Sequence, residues 1–152
     1  GDLNWIMDAW ETDSLPVYVG ADVTRQVIAL NKQRFAHHSN KRFVDWDLVE
    51  CSLPKIAYSD GSTSPFDLLH VRDVLQHLPL HAGEKAAKNI LSSGAKFLIS
   101  TTYPAKHNQE VKAGGWFKNN LELPPYSFPK PLKCITTHLA AENDKTCLYK
   151  LK

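Results

Sequence analysis

Carboxylates stand at the ends of several apolar runs in this sequence, where they can accept hydrogen bonds from a ligand. Asp22 closes the run 17–21 and follows Gly1, which opens a helical pattern. In dinucleotide-binding folds a Gly-rich turn precedes a helix, and an acid about 20 residues on holds the ribose hydroxyls. One carboxylate can accept both hydrogen bonds of a ribose diol. Asp22 can equally cap the helix that opens near Thr24, and spacing alone leaves both roles open. Asp45 and Asp47 end the segment RFVDWD. Either can accept from an exocyclic amine such as that of adenine, or sit in a solvated turn. Arg72-Asp73 follows the run FDLLHV, as ligand contacts or as a structural pair with neighbouring charges. Ligands of open α/β sheets bind beyond the carboxyl ends of strands. Asp22, Asp47 and Arg72-Asp73 all fall at such ends, so their joint placement says more than any one of them.

Other reactive residues offer less. Seven histidines show neither HExxH nor facial-triad spacing, and Cys51, Cys134 and Cys147 form no CxxC, so no metal site is expected. The odd, sparse cysteines read as small buried hydrophobes and suit a cytoplasmic or other reducing intracellular compartment.

The elements that must position these residues follow from periodicity. Leu3, Ile6 and Trp10 give a helix over 2–12. The run 17–21 reads as a buried strand, and Thr24 opens a helix through about Phe35. Strands are expected at 42–47, 66–71 and 97–101, with a helix over 82–93 that Gly94 stops. The connection from Asp47 to Phe66 has room for a short crossover. Strands alternating with helices predict a mostly parallel α/β sheet. The stretch 103–131, rich in Pro, Asn and Gly, is aperiodic, and loops that long are usually functional or mobile. Segments 132–139 and 146–151 read as a closing antiparallel pair.

Composition bounds the function. With 152 residues, 43% hydrophobic and 22% charged, the chain is of a size for one domain with its own core. It is neither disordered, collagenous nor a coiled coil. No apolar stretch approaches the ~20 residues of a membrane span, and no secretory signal is visible. A net charge of +2 with mixed signs carries no nucleic-acid footprint.

These residues carry a resemblance to the class I S-adenosylmethionine-dependent methyltransferases, almost end to end. Gly1-Asp2-Leu3-Asn4-Trp5 resembles the tail of that family's first motif, a D-x-G-C-G type turn followed in one subgroup by D-x-N-W. Tyr18 through Val23 resembles the second motif, which gives Asp22 the cofactor's ribose. Phe43 through Asp47 resembles the F-x-x-x-D third motif, which sets Asp47, rather than Asp45, beside the adenine. Residues 72–78 are similar to the subgroup's R-D-x-L-x-H-L after the fourth strand, and G-W-x-x-N-N-L and P-P-Y-x-F-P-x-P recur later. The resemblance implies a Rossmann-like sheet of order 3-2-1-4-5-7-6. The family's first strand and most of its glycine turn should precede Gly1, so the sequence reads as N-terminally truncated, lacking that strand.

The implied reaction is methyl transfer to an unidentified, small-molecule acceptor. It is an in-line displacement in which the protein mainly orients the reactants, so no nucleophilic residue is required. Gly1, Asp22, Asp47 and Arg72 are expected to bind S-adenosylmethionine. Asp73 and His77 are candidates for a base where the acceptor loses a proton, His77 having a packing role as its alternative. Asn108, Trp116, Asn120 and Tyr126, in the loop that should border the methyl donor, are expected to meet the acceptor. Two other readings remain: a non-catalytic methyltransferase-like protein, and a nicotinamide oxidoreductase on a Rossmann sheet.

Overall fold

The computed structural model describes residues 14–112, 114–136 and 143–152. The helix expected over 2–12 lies outside the described residues. The chain divides into two compact units, Gly1–Asp47 and Leu48–Lys152.

The first unit contains β1 (Tyr18–Asp22), α1 (Arg25–Arg34) and β2 (Lys41–Asp45). The strands pair in parallel, Tyr18 opposite Lys41 through Asp22 opposite Asp45. A parallel pair needs a crossover, which α1 supplies. Lys32 and Arg34 in its last turn favour the negative end of the helix dipole. Gly20 faces Phe43, and a Cβ there would stand 2.8 Å from the ring's Cδ1, so glycine makes room for this buried aromatic. Phe35 stacks on the same ring, centroids 5.5 Å apart.

The second unit opens with a hairpin, β3 (Ile56–Ala57) and β4 (Thr63–Ser64), turned at Gly61 with φ 82°. The Asp60 carboxylate accepts from the Ser62 N–H and hydroxyl, which holds the turn. The stretch read as a short crossover is thus occupied by an antiparallel ribbon. There follow β5 (Leu68–Val71), a 3-10 turn (Leu75–His77), α2 (Leu80–Ser92), β6 (Phe97–Thr102), β7 (Lys133–Thr136) and β8 (Lys145–Lys150). Their sheet order is β5-β6-β8-β7. β5 and β6 are parallel, and β8 runs antiparallel to both β6 and β7. The expected closing pair forms, and its second strand lies inside the sheet. The long segment after β6 carries the chain to the outer lane so that β8 can return between.

α2 buries Ala82, Gly83, Ala86, Ala87 and Ile90. It ends, as expected, at Gly94, whose φ of 83° is the left-handed conformation of a C′ residue. The core gathers Leu69, Ile90, Leu98, Leu121, Tyr126, Phe128 and Tyr149. Gly83 is fixed by this packing, because a Cβ there would meet Tyr126 Cε1 at 2.8 Å and its hydroxyl oxygen at 2.9 Å. Gly83→Ala is expected to destabilise by about 1–3 kcal/mol through overpacking, despite Ala's better helix propensity. An unchanged urea midpoint would mean that the Tyr126 ring yields.

The cysteines correct the sequence reading. Cys134 and Cys147 face each other across β7 and β8 and form a disulfide, while Cys51 is free and exposed. Their separation of 13 residues carries no cue until the strand register is known. Among the described residues no helix is long and apolar enough to cross a membrane.

Candidate active site

In the first unit the parallel strands end on one edge, and the Trp46 N–H extends the ladder by donating to the Asp22 carbonyl at 3.0 Å. Asp22 Oδ1 accepts from the Thr24 N–H at 2.7 Å, so the turn role of Asp22 is realised. A carboxylate has several acceptor positions, so this bond and a ribose contact do not exclude each other. Partial burial by itself would raise the Asp22 pKa. Hydrogen bonds, those from the Thr24 N–H and hydroxyl among them, outweigh it and hold the group below the ordinary carboxylate value. The two later acids differ. Asp45, its side chain 45% exposed, pairs with Arg25, Nε to Oδ2 at 2.7 Å, and Asp47 lies half-buried two residues beyond β2.

In the second unit Asp73 stands just beyond β5 with φ 54°, a conformation that non-glycine residues adopt at a cost and that Asp tolerates better than most. Its N–H donates to Thr101 Oγ1 at 3.1 Å. The Thr101 hydroxyl donates back to Asp73 Oδ1 at 3.0 Å, and Gln76 Nε2 donates to the same oxygen at 2.9 Å. Arg72 Nε lies 3.3 Å from Oδ2. Thr101 and Gln76 are both buried. A half-exposed carboxylate is therefore fixed where β5 and β6 end together.

His77 Nδ1 lies 3.0 Å from the Gly115 carbonyl oxygen. A carbonyl only accepts, so Nδ1 carries the proton of that bond. The Phe117 N–H donates to the Gln76 carbonyl at 3.2 Å, a second tie from this turn to the long segment.

The four acceptor candidates occupy different settings. Asn108 Nδ2 donates to the carbonyls of Asn120, Leu123 and Pro124, and its Oδ1 accepts from the Asn120 N–H. Asn120 Nδ2 donates to the Ala105 carbonyl and its Oδ1 accepts from the Glu122 N–H. Both amides therefore hold the loop in shape. Tyr126 is 1% exposed, its hydroxyl donating to the Leu75 carbonyl at 3.3 Å. Trp116 is 40% exposed and meets Tyr103 edge-on at 5.7 Å. A cleft of about 430 Å³ opens beside the carboxyl end of β6, lined by Thr102, Tyr103, Asn120, Glu122 and Lys145 together with the disulfide. Gly1 lies outside the described residues. Sequence reasoning passed over Gln76, three residues from Asp73, and Thr101, which reaches Asp73 through the β5–β6 pairing.

His70, on β5, gives this edge a pH dependence. Burial lowers its pKa below the ordinary 6.5, the Arg72 charge lowers it further, and Asp73 opposes both. The unfolded chain takes up the proton first as pH falls. Stability is thus intact above the unfolded value near 6.5 and declines as pH drops through the lower folded value. The urea midpoint is expected to fall between pH 7.5 and 5, and to fall less in His70→Gln. An equal fall in both proteins would remove His70 from the account.

No protein-family model and no curated protein matches the chain. Solved structures do. A Pyrococcus horikoshii protein is similar at 14% identity and TM-score 0.68, over 99% of this chain and 78% of that one. Magnesium protoporphyrin IX methyltransferase from Synechocystis, with S-adenosylmethionine bound, is similar at 14% identity and TM-score 0.60, over 88% of this chain and 59% of that one. The N-methyltransferase NodS from Bradyrhizobium japonicum, with S-adenosyl-L-homocysteine, is similar at 16% identity and TM-score 0.58, over 88% and 66%. The chain thus spans less than two thirds of the length of these two enzymes. At such identities the likeness shows the fold, an α/β Rossmann-like fold shared with class I methyltransferases.

Proposed function

We propose that the chain binds S-adenosylmethionine and transfers its methyl group to a small-molecule acceptor, both units being parts of one class I methyltransferase domain. The observation that carries this reading is the reversed β8 between β6 and β7. The orders β2-β1 and β5-β6-β8-β7 correspond to the segments 3-2 and 4-5-7-6 of the sheet that the resemblance implies. A dinucleotide-binding Rossmann sheet is mostly parallel, so a reversed strand inside the sheet favours methyl transfer over hydride transfer. Strand 1 of that order has no counterpart among the described residues. The finer fold we propose is a sheet of that order lacking its first strand.

The acids suit the cofactor's polar groups. Asp22, held ionised, suits the ribose diol, and Asp47 is assigned to the adenine amine by the resemblance. Gly1 and Arg72 remain assigned to cofactor binding by resemblance. The cofactor would supply an electrophilic methyl group on a sulfonium. This chain's task is then to orient the acceptor and take its proton where one must leave. Asp73 is the candidate base, with Oδ1 held by Thr101 and Gln76 and Oδ2 beside the Arg72 guanidinium. His77, its Nδ1 proton committed to Gly115, offers Nε2 as a base. We assign the acceptor to the cleft beside Thr102, which Tyr103 and Asn120 also line; Trp116 packs edge-on against Tyr103.

Calorimetric titration with S-adenosylmethionine, S-adenosylhomocysteine and NAD tests the reading. Saturable binding of the first two and none of NAD is expected. Binding of NAD alone would favour an oxidoreductase, and binding of none a non-catalytic protein.

A further inference from the structure

We infer that the Cys134–Cys147 disulfide is a reducible clasp on the wall of the Thr102 cleft, so that thiol–disulfide exchange regulates the shape of that cleft. The cysteines face each other directly in the β7–β8 register, and both line the cleft together with Lys145. They differ in access. All four residues of β7, Cys134 included, are exposed, whereas Cys147 is 1% exposed within the core. Attack by a thiolate is therefore expected at Cys134, the exposed residue of the pair, rather than at buried Cys147.

β7 has little else to hold it. Among the described residues it is the outer strand, paired with β8 alone. Its Ile135 and the preceding Leu132 are 58% and 59% exposed, so burial contributes little to its placement. β8 is different: it pairs with β6 along its whole length and carries the fully buried Tyr149. Loss of the bond thus acts on β7, and through Cys134 and neighbouring Pro131 on the cleft wall, while β8 stays in place.

The exchange balances with a dithiol reductant. Its thiolate attacks Cys134 Sγ, the S–S bond breaks, and the electron pair leaves on Cys147 Sγ, which takes a proton from solvent. The reductant's second thiol then attacks the mixed disulfide, releasing Cys134 as a thiol and closing the reductant's own disulfide. Two electrons pass from the dithiol to the cysteine pair.

Only the consequence for catalysis rests on the reading of this cleft as the acceptor site. The test is hydrogen exchange by mass spectrometry on the full chain, with and without dithiothreitol, and thiols counted by alkylation. One reactive thiol, Cys51, is expected before reduction and three after it. Amides of 133–136 are expected to exchange at least about tenfold faster after reduction, with those of 97–102 unchanged. Cys134→Ser should show the fast exchange without reductant. Three reactive thiols before reduction, a bond that dithiothreitol opens only in denaturant, or unchanged exchange in the reduced protein would each overturn the proposal. Titration with S-adenosylmethionine in both redox states separates the two readings. Faster exchange without cofactor binding keeps the clasp and sinks methyl transfer, and binding with unchanged exchange does the reverse.

Discussion

Leu98→Ala is expected to destabilise the protein by about 2–5 kcal/mol, the range for removing a buried Leu side chain from a packed core. Leu98 is fully buried in β6, opposite Leu69 on one side and Tyr149 on the other. It therefore joins both ladders of β6 to the core under α2. The cavity left by three lost carbons has little means to collapse, because each neighbour is held by a strand register. A domain of this length has a stability of about 5–15 kcal/mol, so the loss is a large share of it. Thermal unfolding should shift down by roughly 5–15 °C. Leu132→Ala is the contrast, since Leu132 is 59% exposed, and should stay within about 0.5 kcal/mol of the parent. If both variants melted alike, the core would not be centred on β6.

What the sequence reveals and what it hides divide along the range of the interactions. β1, β2, β5 and β6 lie within two residues of the expected strands, because apolar runs flanked by turn residues are local signals. α2 begins two residues before the expected start, at Leu80, where Pro79 sets the entry and the Glu110 carboxylate accepts from the Leu80 N–H at 2.9 Å. That acid is 30 residues away in sequence, so no local pattern announces it. β3 and β4 have two residues each, too few to alternate. The long aperiodic segment owes its shape to single side chains, chiefly Asn108 reaching three carbonyls.

The candidate site follows the same rule. Asp22, Asp47 and Arg72-Asp73 are legible because each sits where a strand stops. The β6 partner of Asp73 is not legible, since Thr101 is 28 residues away and meets it only through the β5–β6 pairing. The disulfide is hidden for the same reason, and so is the insertion of β8, which is a property of the sheet and of no segment by itself.

Asp22→Ala is expected to weaken S-adenosylmethionine binding by about 10- to 150-fold, the equivalent of the 1.5–3 kcal/mol of hydrogen bonds to a charged group. Asp22→Asn should fall between the parent and the Ala variant, because its amide oxygen still accepts while the charge is gone. Asp47→Ala should weaken binding less, by about tenfold, if its contact is a single bond from the adenine amine. Asp45→Asn is expected to change binding less than twofold, because that carboxylate is engaged by Arg25 on an exposed surface, where such pairs contribute about 0–1 kcal/mol. Calorimetry on the four variants measures each effect, and urea midpoints show whether the lost Thr24 bond has disturbed the turn. The pattern has a pH signature too. Asp22 is held below the ordinary carboxylate value, so its contribution should persist as pH falls through that range and disappear only beneath it. Equal affinities for the parent and the Asp22 variants would overturn the ribose assignment even if the cofactor binds. An effect of Asp45→Asn as large as that of Asp47→Ala would move the adenine contact to the nearer acid.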